Sequence, residues 1–125
     1  MAAPVRVSIP EVSRLPVGVL GRLRVALLAE LQTKAAERAE HEARATWLTG
    51  QSDPDSLLER ELAEVGASRA QQAIAEIERA LVRIDLGVYG SCEACAAPVA
   101  LERLEAIPHA RYCVACSVTP RLPPP

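Results

Sequence analysis

The 125-residue sequence contains no phenylalanine, and Trp47, Tyr89 and Tyr112 are its only aromatic residues. A core with so few large rings must be thin, and a chain of this length supports a single domain. Lysine is almost missing too: of fourteen basic residues only Lys34 is a lysine. Acids slightly outnumber bases, for a net charge of −2, so nothing draws the whole chain to nucleic acid or to an anionic membrane. No segment carries a basic helical stripe, so direct DNA binding is not expected. No run approaches the ~18 uncharged apolar residues of a membrane span. The N-terminal MAAPVRVSIPEVSRLP, interrupted by Pro4, Pro10 and Pro16, lacks the apolar segment of a signal peptide. The expected compartment is therefore a reducing cytoplasm, where paired cysteines hold metal or do redox chemistry more often than they form structural disulfides.

What the sequence does contain is alanine and leucine mixed with Glu and Arg, the composition of long helices. Residues 1–16 read as an extended arm. Leu20, Leu23, Leu27, Leu28, Leu31, Ala35 and Ala39 set a helical period from Val17 to about Leu48. The break TGQSDPDS follows at 49–56: Gly50 suits a C-cap, Ser52 or Asp53 an N-cap, and Pro54 a first helical turn. Ser52 and Asp55 approximate a capping box. A second helix is predicted from Pro54 to Leu86, with Leu58, Leu62, Val65, Ala70, Ala73, Ile77, Leu81 and Ile84 on its apolar face. Gly87 ends it. Two long helices with a short break predict an antiparallel hairpin over 17–88. With the turn centred near residue 51, Leu20 falls opposite Leu81, and Ala35 and Ala36 fall opposite Gly66. The Glu and Arg faces, such as Glu59, Arg60, Glu61 and Glu64, read as solvated surface.

Cys92, Cys95, Cys113 and Cys116 form two C-x2-C pairs, in the spacing range of a four-cysteine zinc site. Each pair folds as a tight turn that aims two sulfurs at one point, and two turns complete a tetrahedron around one Zn²⁺. The intervening apolar residues Val99, Leu101, Leu104 and Ile107 are too few to fold a module alone, so metal binding contributes its folding energy. Two disulfides are the alternative that the compartment disfavours. A thiol redox pair is another, and the chain lacks its usual βαβ setting. Four sulfurs close the coordination sphere, which makes the zinc structural and argues against an enzyme. Arg103, His109 and Arg111 stand where they can soften the thiolate charge, and His109 reads as a surface residue.

The run YGSCEACAAPVALERLEAIPHARYCVAC resembles the four-cysteine finger of the DksA/TraR family of bacterial transcription regulators. The likeness rests on Tyr89-Gly90, the four cysteines, Arg103-Leu104-Glu105-Ala106, Pro108, and the hairpin directly before the finger. It implies an all-α-dominated fold, with a hairpin whose tip lies at 49–56 and a C4 finger over 89–117, while residues 118–125 of this sequence read as a Pro-rich, disordered tail. It also implies RNA polymerase as partner, bound by a monomer whose hairpin enters the secondary channel. The tip residues in question are then Trp47, Asp53 and Asp55. The tip departs from the family's Asp-x-x-Asp-x-Ala, reading Asp53-Pro54-Asp55-Ser56-Leu57-Leu58, and Ala96 replaces the glycine usual after the first cysteine pair. The family's basic residues for guanosine tetraphosphate align with Glu76, Ile107 and Ser117, so no response to that nucleotide is expected there. A zinc-clipped hairpin serving another protein as an adaptor is the alternative reading.

Overall fold

The computed structural model describes residues 15–118. Most of the extended arm and most of the Pro-rich tail expected from the sequence lie outside the described residues. Four helices follow in order: α1 (Val17–Leu48), α2 (Pro54–Leu86), α3 (Leu101–Ala106) and α4 (Val114–Val118). The fold is all-α, a long helical hairpin followed by a C4 finger, and among the described residues the only β pairing is an isolated bridge between Ser91 and Pro98. The bounds of α1 and α2 are those the sequence predicts. No described helix is long and apolar enough to cross a membrane. The chain divides into two compact units, one over Leu28–Glu78 and one formed by the residues up to Leu27 with those from Arg79 onward.

The first unit holds the turn of the hairpin. α1 closes with Thr49 and Gln51 amides donating to the carbonyls of Ala45 and Leu48, both at 3.0 Å. α2 opens on Asp53, whose Oδ2 accepts the Ser56 amide at 3.0 Å and whose Oδ1 accepts the Ser56 hydroxyl at 2.8 Å. Asp53, not Ser52, is therefore the N-cap, and the Ser56 hydroxyl donates to its carboxylate instead of accepting from the Asp53 amide as a capping box would require. These bonds from the Ser56 hydroxyl and amide hold the Asp53 carboxyl below the usual aspartate range.

Packing in this unit corrects the sequence reading. Leu58, Leu62 and Val65, expected on the buried face of α2, are 57%, 62% and 48% exposed. The buried positions are Leu48, Ala63, Ala70, Ile74 and Ile77. Ala63 and Ala70 share the seam with the large residues, and such small side chains carry little weight in a hydrophobic pattern but permit close approach of two backbones. The register differs too. A Cβ built on Gly66 meets the His41 ring at 2.6–2.8 Å, so Gly66 faces His41 and not Ala35 or Ala36. The reason is interdigitation: a side chain fills the notch left by glycine, as a knob fills a hole, and small residues are not paired with small ones. Arg44–Glu59, at 3.2 Å, and Arg38–Gln71 span the same antiparallel pair.

The second unit holds the start of α1, the end of α2 and the finger. Leu23, Leu27, Ala80, Tyr89, Cys92, Val99 and Leu104 are buried in it. Arg24 and Asp85 pair across the helices at 3.2 Å, and Arg22 reaches Glu105 of α3 at 2.9 Å. α2 ends at Gly87, whose φ of +77° is the left-handed conformation that favours glycine. Its amide donates to Ile84 O at 3.1 Å, and the Val88 amide donates to Arg83 O at 3.0 Å, which satisfies the last carbonyls as a Schellman cap.

The His41–Gly66 contact gives a prediction with a change of sign. Gly66→Ala alone should destabilise the hairpin, because the ring must leave its notch. In a His41→Ala background the same change should stabilise by about 1 kcal/mol, the intrinsic helical advantage of alanine. Thermal or urea unfolding of the three variants checks it.

Candidate metal centre

Cys92, Cys95, Cys113 and Cys116 converge: their sulfurs all lie within 4.8 Å of one another. Cys95 Sγ and Cys113 Sγ are 3.8 Å apart. Four sulfurs about 2.3 Å from a central zinc form a tetrahedron with edges of about 3.8 Å. A disulfide needs about 2.05 Å, and all four cysteines are free. The donor set and its spacing fit one structural zinc ion, held with no position left for a reacting water. Among the described residues no other group of His, Cys, Asp and Glu side chains forms such a cluster.

Short-range geometry explains the convergence. In the first pair the Cys92 amide donates to Ala97 O at 2.7 Å, the Ala96 amide to Cys92 O at 2.9 Å, and the Ala94 amide points at Cys92 Sγ at 3.4 Å. Burial opposes charge on Cys92, but amides of Cys113, Cys95 and Ala94 overcome it and lower the thiol to about 6. Hydrogen bonds among the crowded sulfurs, Cys113 foremost, push Cys116 up to about 12. The turn after the first pair carries a strained residue: Ala96 has φ +67° and is the one described non-glycine residue in the left-handed region. The second pair begins at Cys113 and runs into α4, with the Ser117 amide donating to Cys113 O at 2.9 Å.

Two further ties hold the finger together. Tyr89 is 2% exposed, and its hydroxyl donates to Pro108 O at 2.8 Å. Burial pushes that phenol up to about 12. The second tie was missed from the sequence. Glu93, between the first two cysteines, has a side chain only 10% exposed and faces three arginines. Arg79 donates from Nε and Nη2 to its two oxygens, each at 2.9 Å. Arg111 donates from Nε at 3.2 Å, and Arg83 Nε stands at 3.7 Å. Burial alone would raise the Glu93 carboxyl, but the bonds from Arg79 and Arg111 outweigh it, so the net shift is downward. A carboxylate beside two thiolates requires compensating cations, and Arg79 and Arg83, four residues apart at the end of a helix, were the available signal. Of the cations expected to soften the thiolate charge, Arg111 bonds to Glu93 and Arg103 donates to Tyr112 O at 2.9 Å.

The remaining candidate residues lie in the other unit. Trp47 is 64% exposed, so most of its surface lies outside the packing of the hairpin. Asp53 has both oxygens bonded to Ser56, whereas Asp55 stands exposed in the first turn of α2.

Metal removal should separate the two parts of the chain. A chelator is expected to collapse the dispersed NMR signals of residues 89–118. Far-UV helicity should change little, because α3 and α4 have six and five residues against 32 and 33 in α1 and α2. Ala96→Gly should relieve the left-handed strain and stabilise the zinc-loaded finger by about 1 kcal/mol. Competition with a zinc chelator would show it as tighter metal retention.

Comparison with known proteins agrees with this geometry. Residues 87–117 match the model of the prokaryotic dksA/traR C4-type zinc finger. A protein from Aquifex aeolicus described only as uncharacterised is 48% identical over 42 residues. That match takes in 34% of this chain and 29% of the relative's length. The structure of transcription factor DksA2 from Pseudomonas aeruginosa superposes with a TM-score of 0.75, at 23% identity, over 86% of this chain and 87% of that one. At that identity the likeness is one of fold. Residues 87–117 thus carry the DksA/TraR type of C4 finger, and the fold over most of the chain is the one that DksA2 shows.

Proposed function

We propose that this protein is a transcription regulator that binds RNA polymerase through the enzyme's secondary channel and acts there without catalysing a reaction. The observation that carries the reading is the exposed end of the hairpin. There Trp47 lies open in the last turn of α1, and Asp55 stands unengaged by any described partner in the first turn of α2. Trp is favoured as a binding anchor, and a free carboxylate can meet basic groups or a bound divalent cation. Asp53 serves the fold first, since its oxygens cap α2. The fold shared with a transcription factor supports the same reading. The zinc holds the finger in shape, and the protein works as a cytoplasmic monomer. Glu76, Ile107 and Ser117 give it no basic contact for guanosine tetraphosphate at the family's position.

The capping geometry makes a clean test available. Asparagine caps helices as well as aspartate does, so Asp53→Asn/Asp55→Asn removes two charges and keeps the turn. Tagged, zinc-loaded protein is expected to recover the core polymerase subunits from its native lysate. The double variant and Trp47→Ala should each recover them less well, Trp47→Ala by about tenfold or more. Capture of a different protein in constant ratio, with no polymerase, would favour the adaptor reading instead.

A further inference from the structure

We propose that an exposed apolar stripe on α2 is a docking surface for a second copy of this chain, laid antiparallel against the same stripe. Leu58, Leu62 and Val65 are all exposed. With Arg69 they follow the alternating four- and three-residue spacing of a coiled-coil seam. At about 100° per residue they share one arc of about 60° on the helix. The buried residues Ala63, Ala70, Ile74 and Ile77 lie about a third of a turn away, so packing against α1 leaves this stripe uncovered. All of these residues belong to the unit Leu28–Glu78. The inference does not depend on the polymerase reading.

The charges identify the occupant. Asp55 and Arg69 stand seven residues before and seven after Leu62, close to the line of the stripe. Both are exposed, and neither side chain makes an ion pair or hydrogen bond among the described residues. Nearby acids are already engaged within the chain, Glu59 by Arg44 and Glu64 by Arg60. An antiparallel copy centred on Leu62 sets Leu62 against Leu62 and Leu58 beside Val65. At each end it sets Asp55 of one copy against Arg69 of the other. An acid and a base placed evenly about a leucine make the stripe complementary to itself, which is the condition for a closed two-fold pair. A lipid surface would require basic residues along the flanks, where this helix has Glu59, Glu61 and Glu64.

Size and charge also set the strength of the pair. Three apolar side chains from each copy bury less than the roughly 1,200 Å² of a stable interface, so the pair forms at high concentration and separates on dilution. Glu61 has no ion-pair partner among the described residues and stands one position before Leu62. Two copies therefore bring two Glu61 carboxylates near the two-fold axis, and their repulsion weakens the pair further. Asp55 is taken up by the second copy, so the monomer is the form with an open tip.

Sedimentation equilibrium of the zinc-loaded full chain tests the surface. A monomer–dimer equilibrium is expected, with a dissociation constant on the order of 0.1 mM. Leu62→Glu should remain monomeric at millimolar concentration, with helicity and melting temperature unchanged because the side chain is exposed. Asp55→Arg and Arg69→Asp should each weaken self-association about tenfold, since both ends of the pair then join like charges. Mixed in equal amounts, these two variants should associate with each other as strongly as the natural chain does with itself, because both ends again join opposite charges. Glu61→Gln should tighten the pair about threefold. A natural chain that stays monomeric at millimolar concentration would overturn the proposal and leave the stripe to a different protein. Association that survives Leu62→Glu would overturn it as well, as would a mixture of the two charge variants that stays monomeric.

Discussion

Four thiolates brought to one point are the constraint on which the C-terminal part of this protein depends. The finger contains one bridge, two helices of six and five residues, and a core of Tyr89, Val99 and Leu104. Burial of so few side chains does not match the entropy of ordering its connecting loops. Sulfurs within 4.8 Å of one another repel as thiolates unless a cation lies between them. One zinc ion removes that repulsion and closes the loop between the two pairs, so coordination and folding are a single event. A closed tetrahedron also confines the metal to this structural role.

Around that centre, local chemistry decides how the finger is tied to the end of α2. Gly87 turns the chain out of the helix through a left-handed residue, and the Schellman bonds engage the carbonyls of Arg83 and Ile84. Arg79 and Arg83, one helical turn apart, then face the first cysteine turn and hold Glu93, while Arg111 reaches the same carboxylate from the second arm. A single half-buried acid thus joins the helix end and both arms. The same arrangement keeps three guanidiniums in order at the wall of a cavity.

The hairpin shows where reading a sequence succeeds and where it fails. Helix bounds were legible because proline, glycine and capping residues act over three or four positions. The break at 49–56 contains all three kinds. The buried face was not legible in the distal half, where large residues attract attention and small ones decide the packing. Leu58, Leu62 and Val65 stay exposed, while Ala63 and Ala70 lie in the seam. His41 had no marker in the sequence, since its role exists only opposite the notch of Gly66. Trp47 stood out by rarity, but its exposure followed only from which face of α1 meets the partner helix.

The sequence by itself determined the elements whose causes are local: two long helices, their caps, and four cysteines spaced for zinc. Each follows from backbone preference or ligand geometry within a few residues. It also held the family's motif, and the Tyr89-Gly90 and Pro108 of that motif meet in a buried hydrogen bond. Tertiary structure decided what depends on contacts between distant segments. Those are the register of the helices, the exposure of Trp47, the capture of Glu93 by three arginines and the cavity that they line. Such contacts are set by how closely two backbones approach and by which charges must be matched out of water, and neither quantity is carried by any one stretch of the chain.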